Sequence, residues 1–181
     1  MAASSVSLFP PMLDHAATED MLRQSGLAWT ALRNGFYASS GLMFMGDALK
    51  TGVIEAPADG KVSWTAHADL AEAAAILLAD EGRYEGPTPP LTGSQALDLA
   101  DFATIASELQ SQPVHRQIIS DEELQAKMAA HGLPARVADI SLGLYRASRE
   151  GEFAAVNPTL ERLLGRGPIS MRDLIAEKIS G

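Results

Sequence analysis

The sequence contains no cysteine, and this absence removes disulfides, thiolate nucleophiles, zinc fingers and iron–sulfur clusters together. Such usage suits a reducing compartment, and a cytoplasmic location is the expectation. No apolar run reaches the roughly 18 residues of a membrane-spanning helix, which excludes one as a partner of the bilayer. Basic residues are few: 14 Lys and Arg stand against 23 Asp and Glu, for a formal charge of -9, and they are scattered. The electrostatic footprint that nucleic acid requires is therefore missing. The opening Met1-Ala2-Ala3-Ser4-Ser5 lacks the positive start of a secretory signal. What remains is an ordinary soluble composition, 46% hydrophobic over 181 residues, enough for a domain that hides roughly 70% of its open-chain surface.

The common catalytic signatures are absent too. Neither G-x-G-x-x-G nor G-x-x-x-x-G-K-[ST] occurs, and Gly165-Arg166-Gly167 runs straight into Pro168. The histidines, at 15, 67, 115 and 131, have no metal-ligand spacing, so no metal is expected. No G-x-S-x-G elbow is present. Tyr37, Tyr84 and Tyr145 are followed four residues later by Gly41, Thr88 and Arg149, so no tyrosine-lysine pair at that spacing exists.

The patterning is that of an α/β chain. Residues 1–11 read as a strand remnant or loose arm in which Pro10-Pro11 forbids helix. The first helix then runs from Met12 or Leu13 to Ser25, with Leu13, Ala17, Met21 and Leu22 on one apolar stripe and Gly26 ending it. Leu27 to Leu32 reads as a buried strand closed by an Asn34-Gly35 turn. A helix over Met43–Lys50 ends at Gly52, a strand covers Lys61–Thr65, and Asp69 offers an N-cap for an alanine-rich helix to Ala79. Thr88 to Leu91 reads as a strand that prolines 87, 89 and 90 either confine to an edge or deprive of ladder bonds. Gln95–Gln110 is helical, Pro113–Ile119 a strand, and Ser120 with Glu123 forms a capping box for the next helix. Three more helices are expected near 135–149, 157–164 and 170–179. Trp64, Phe102 and Phe153 read as core, and the acidic runs at 121–123 and 150–152 as solvated helix ends.

The run Leu22-Arg23-Gln24-Ser25-Gly26-Leu27-Ala28-Trp29-Thr30-Ala31-Leu32-Arg33-Asn34-Gly35-Phe36-Tyr37 resembles the NmrA-like family of atypical short-chain dehydrogenase relatives, and especially its NAD(P)H:quinone oxidoreductase type. The likeness continues in order through Gly60-Lys61-Val62-Ser63-Trp64, Asp69-Leu70-Ala71-Glu72, Leu91-Thr92-Gly93, Gly132-Leu133-Pro134, Arg149-Glu150-Gly151-Glu152-Phe153 and Leu163-Leu164-Gly165-Arg166. This resemblance implies an α/β fold: the C-terminal part of a Rossmann-like, NAD(P)-binding parallel sheet with a small, mainly helical substrate lobe. It divides the chain into a partial Rossmann-like region over 1–111, carrying a lobe-forming insertion at about 38–65, and a mainly helical lobe over 112–181. The glycine-rich turn that grips pyrophosphate in the family has no counterpart here, so the chain reads as truncated and is not expected to hold a dinucleotide tightly by itself.

The resemblance also nominates a site. His15 falls on the helix where conventional relatives carry the active-site lysine, followed by Thr18-Glu19, and implies a ring that hydrogen-bonds the cofactor's ribose or nicotinamide with Glu19 biasing its protonation; alternatively it is an exposed helix-start histidine. Asn34 and Gly35 lie at the carboxyl end of a strand, where open α/β sheets bind ligands; they are cofactor-binding residues or simply a strand-ending turn. Tyr37 would line the same pocket. Ser40 stands where the family commonly has a functional asparagine, and its hydroxyl keeps one polar contact without the amide's reach.

The implied function is an NAD(P)H-dependent quinone-reductase type oxidoreductase, with NADP or NAD as cofactor and a small quinone or similar acceptor as substrate. The alternatives are a non-catalytic dinucleotide-sensing regulator and an inactive remnant. A second copy of the chain covering an exposed sheet edge is a further expected partner.

Overall fold

A computed structural model describes residues 4–80 and 82–181. Helix α1, Pro10–Gln24, starts two residues earlier than expected, on Pro10-Pro11 themselves. Proline is tolerated in a helix's first turn because the N–H it lacks would have no intrahelical partner there. The residues before it are not a loose arm, although positions 1–3 lie outside the described residues. Leu8 N donates to Glu152 Oε1 at 2.9 Å, Ser7 Oγ donates to Glu152 Oε2, and Phe9 is buried. Glu152 is thus a tether for the incoming chain rather than a solvated charge.

After α1 come strands β1, Thr30–Ala31, and β2, Phe36–Tyr37. The expected buried strand over 27–32 is shorter and barer: Leu27 is 69% exposed, and among the described residues β1 pairs on one side only, with Gly86–Pro87. Asn34-Gly35 is no turn. The backbone runs extended through it, Asn34 bridging Leu91 in parallel and Gly35 N donating to Leu91 O at 2.6 Å. The expected helix over 43–50 is two helices, α2, Ala38–Phe44, and α3, Ala48–Thr51, because the chain turns at Gly46 with φ +54°. Gly52 ends α3 as expected, with φ +75°.

Strand β3, Val53–Pro57, had no sequence expectation. Then follow β4, Trp64–Thr65, and α4, His67–Ala79. Asp69 does not cap α4; it is the helix's third residue, fully buried, accepting from Ile169 N at 2.7 Å and paired with Arg166 at 2.8 Å. Strand β5, Gly86–Pro87, pairs in parallel with β1, and the ladder continues as Thr88 N donates to Ala31 O and Leu91 N to Arg33 O, each at 2.9 Å. Helix α5, Leu99–Gln110, begins four residues later than expected, where Asp98 and Asp101 form a reciprocal capping box. Strand β6, His115–Ile119, pairs with all five residues of β3 in parallel.

The remaining helices are α6, Asp121–Ala130, α7, Ala135–Arg149, α8, Thr159–Leu164, and α9, Met171–Ser180. The Ser120–Glu123 capping box is present, with Glu123 N donating to Ser120 Oγ at 3.1 Å and Ser120 N to Glu123 Oε2 at 2.7 Å. Asp121 is not merely solvated, since Arg146 and Arg149 both hold it at 3.1 Å.

Among the described residues the strands form three parallel pairs, β1 with β5, β2 with β4 and β3 with β6. The main core packs around Trp64, Phe102 and Phe153, all buried as expected, and draws residues from Phe9 to Ile175. A second cluster joins Leu70 and Ala73 of α4 to Leu91 and to Leu160 and Leu163 of α8. Helix α1 buries only Met12 and Glu19, so its expected apolar stripe is largely bare: Leu13 and Met21 are exposed and Leu22 is half-buried. No helix among the described residues is long and apolar enough to cross a membrane.

Candidate active site

One pocket of about 450 Å³ lies between α1 and the extended segment that runs from β1 into β2. Its first wall is α1, whose second turn carries His15 and, one turn further, Glu19. The opposite wall is formed by Ala31 to Tyr37 and continues to Ser40 of α2. All five nominated residues, His15, Asn34, Gly35, Tyr37 and Ser40, line this pocket. A volume in the range of small-molecule sites, apolar walls and a few convergent polar groups are what a flat organic ligand requires.

The floor is stiff. Phe36 packs on Phe9 at 5.6 Å, on Phe153 at 5.3 Å and edge-on to Trp64 at 5.6 Å between ring centroids. The β2–β4 pairing, Phe36 opposite Trp64 and Tyr37 opposite Thr65, fixes the height of this floor relative to α4.

Gly35 serves that packing. A Cβ there would lie 2.2 Å from Thr65 Oγ1 and 2.7 Å from Leu91 O, so only glycine lets the strand pass between them. Thr65, fully buried, in turn accepts from Gly93 N at 3.0 Å and donates to Ser63 O at 3.2 Å. The close approach at Gly35 is therefore between strands, with its amide committed to Leu91 O.

Asn34 is half-buried on the pocket wall, one residue from that crossing. Tyr37 is 42% exposed and stands at the rim, its ring 4.4 Å from that of His67 at the start of α4. His15 is exposed on α1, and Ser40 is half-buried on α2.

Glu19 does not turn to His15. It is buried, and both its oxygens accept from Arg33: Nε to Oε1 at 2.8 Å and Nη2 to Oε2 at 2.7 Å. That fork-on-carboxylate geometry holds the Glu19 carboxyl below the usual carboxylate range, the hydrogen bonds from Arg33 outweighing the opposing effect of burial. The same pairing raises Arg33 further, so both remain charged across the ordinary pH range. Sequence reasoning missed this pair. Its signal was an arginine directly after an apolar strand run, a position where a charge needs a fixed counter-charge. Among the described residues no cluster of His, Asp and Glu could hold a metal ion.

No protein-family model matches the chain. It is 31% identical over 164 residues to quinone oxidoreductase 2 of Escherichia coli strain K12, covering 90% of this chain and 57% of that protein. It is 25% identical over 166 residues to an NmrA-like family domain-containing oxidoreductase of Aspergillus flavus, covering 90% of this chain and 54% of that protein. A crystal structure of an NADPH-dependent quinone oxidoreductase of Escherichia coli in complex with NADPH superposes with a TM-score of 0.83 at 30% identity, over 97% of this chain and 61% of that one. The chain thus spans somewhat over half the length of the relatives it matches. Ordered sequence likeness and superposable parallel α/β architecture agree: over this span the chain is similar to NmrA-like and quinone oxidoreductase proteins and shares their Rossmann-like fold.

Proposed function

We propose that the pocket is the acceptor side of an NAD(P)H-dependent reductase of quinone-type compounds. The observation that carries this reading is the gathering of His15, Asn34, Tyr37 and Ser40, from three separate elements, onto one mostly apolar pocket of small-molecule size. A reduced nicotinamide, when bound, supplies the hydride.

The residues present suit the nicotinamide end of such a cofactor. Asn34 offers both a donor and an acceptor to a carboxamide, and the flat floor of Phe36 gives a ring a surface to lie against. None of the described residues lining the pocket forms a glycine-rich turn feeding a helix N-terminus, so they account for the ring and not for the phosphates. His15 from α1 and Ser40 from α2 would hydrogen-bond the cofactor's sugar and the acceptor's oxygen. Tyr37, stacked on His67, would limit how far an aromatic acceptor slides toward solvent. Because that rim is exposed, protons for the reduced acceptor come from water, and no buried general acid is required of the chain.

The bare stripe of α1 and the one-sided β1 belong to the same reading: we infer that another polypeptide covers them, a second copy of this chain being the expected one.

Oxidation of NADPH by the purified 181-residue protein, followed by absorbance with and without menadione, tests the proposal. Because the described lining residues offer the phosphates no turn, the assay uses NADPH in large excess, and the expected result is menadione-dependent oxidation that falls about tenfold or more in His15→Ala and in Asn34→Ala. Calorimetric binding of NADPH without turnover would instead support the sensor reading. Neither binding nor turnover overturns both.

A further inference from the structure

The formally charged side chains, Asp, Glu, Lys or Arg, that line the pocket among the described residues are Glu19 and Arg33, and they are bonded to each other. Each sits on a different wall, Glu19 on α1 and Arg33 between β1 and β2. Neither can drift. Glu19 is buried within the helix face, and the Arg33 backbone is pinned on both sides, its N–H donating to Thr88 Oγ1 at 3.1 Å and its carbonyl accepting from Leu91 N at 2.9 Å. The pair therefore presents the pocket with a fixed, closed dipole instead of a free cation.

We propose, resting on the acceptor reading above, that Glu19 is the charge-selectivity residue of this pocket: by neutralising Arg33 it selects uncharged flat acceptors and disfavours anionic ones. Arginine alone in such a place would be a ready receptor for a sulfonate, carboxylate or phosphate, because its five donors match those groups. With both Glu19 oxygens already seated in the guanidinium fork, an anionic acceptor must either displace a carboxylate or lie against apolar walls without a counter-charge. An uncharged quinone meets neither cost. The pair also ties the wall bearing His15 to the wall bearing Asn34, so its loss loosens the pocket as well as recharging it; the experiment must separate those effects.

Equilibrium dialysis of the full chain against menadione and against a naphthoquinone sulfonate separates them, since the ratio of the two dissociation constants cancels a general loosening. The unsubstituted protein is expected to favour menadione. Glu19→Gln leaves an amide that still hydrogen-bonds Arg33 but removes the negative charge, and should shift the ratio toward the sulfonate. Arg33→Gln leaves Glu19 uncompensated and should shift it the other way. A net unit charge within about 6 Å of a bound sulfonate, at an effective dielectric of about 40, corresponds to roughly a tenfold change in each direction. The double variant should return the ratio to its starting value. Because the two single variants carry opposite signs, either one that folds, as judged by circular dichroism, suffices. A ratio that stays put, or moves the same way in both, overturns this proposal alone. Binding of neither quinone by the unsubstituted chain overturns the acceptor reading together with it.

Discussion

At the scale of single residues, Gly35 and Glu19 show two ways in which a side chain's role depends on what lies across from it. Gly35 looks like half of an Asn-Gly turn, yet its backbone is extended, and what demands glycine is the hydroxyl of Thr65 and the carbonyl of Leu91 pressing from either side. A methyl group has no room, and backbone on one side cannot rotate away as a flexible side chain could. Gly35→Ala should therefore destabilise the fold by about 2–4 kcal/mol, measured as a lowered midpoint in urea. Trimming Thr65 to alanine, which removes the hydroxyl at 2.2 Å, should restore little, because Leu91 O still stands 2.7 Å from the added carbon. Glu19 was legible as a helix residue one turn after His15 and illegible as the partner of Arg33, since nothing local says which of two neighbours a carboxylate will face. The residues that line one pocket were nominated through a resemblance to a family; spacing along the chain alone gave no reason to group His15 with Asn34.

Elements with their own start signals were the ones that could be read. Ser120 followed by Glu123 announces α6, and the structure closes that box in both directions. Ser120→Ala should cost about 1 kcal/mol through the orphaned Glu123 amide, checked by the same urea midpoint. Asp98→Ala should cost more than Ser120→Ala, because Asp98 both accepts from Asp101 N at 2.9 Å and pairs with Lys61 at 2.9 Å. The position of α5 was misjudged for the complementary reason: residues 95–98 fit a helical stripe, but Leu97 is taken by Val62, which it meets in an antiparallel bridge. Strand β3 carried no readable signal. It is five residues long and ends in proline, and its partner β6 begins after all of β4, α4, β5 and α5 have intervened. Parallel pairing at that separation is decided by the packed core and leaves only a weak trace in local pattern. The alternation of Val53 and Glu55 with buried Ile54 and Ala56 is that trace, and it breaks at Pro57, which is buried as well.

On the scale of the whole molecule, the uneven distribution of burial is the largest departure from what the periodicity implied. Leu13, Ala17, Met21 and Leu22 have the spacing of a core-facing stripe, and the amphipathic reasoning that put them inside was sound as far as it went. Yet Met21 is 64% and Leu27 69% exposed, and β1 has a strand on one side only. Most of the other long helices seat their apolar residues well: α7 buries Leu142, Leu144 and Tyr145, and α9 buries Met171 and Ile175. Leu78 of α4 and Ile118 of β6 are exposed singly, whereas α1 and β1 bring a bare stripe and an open strand edge together beside the candidate pocket, and a folded chain does not leave that combination in water without consequence. If a second copy covers it, sedimentation velocity should show the mass rising with concentration. Met21→Glu combined with Leu27→Lys should return the protein to monomer, since both side chains are solvent-facing in the isolated chain and their replacement removes no core contact. Circular dichroism should accordingly stay unchanged. A monomer at all concentrations before substitution would show that the stripe is not covered by self-association, and the same double variant then becomes the probe for a different polypeptide on α1.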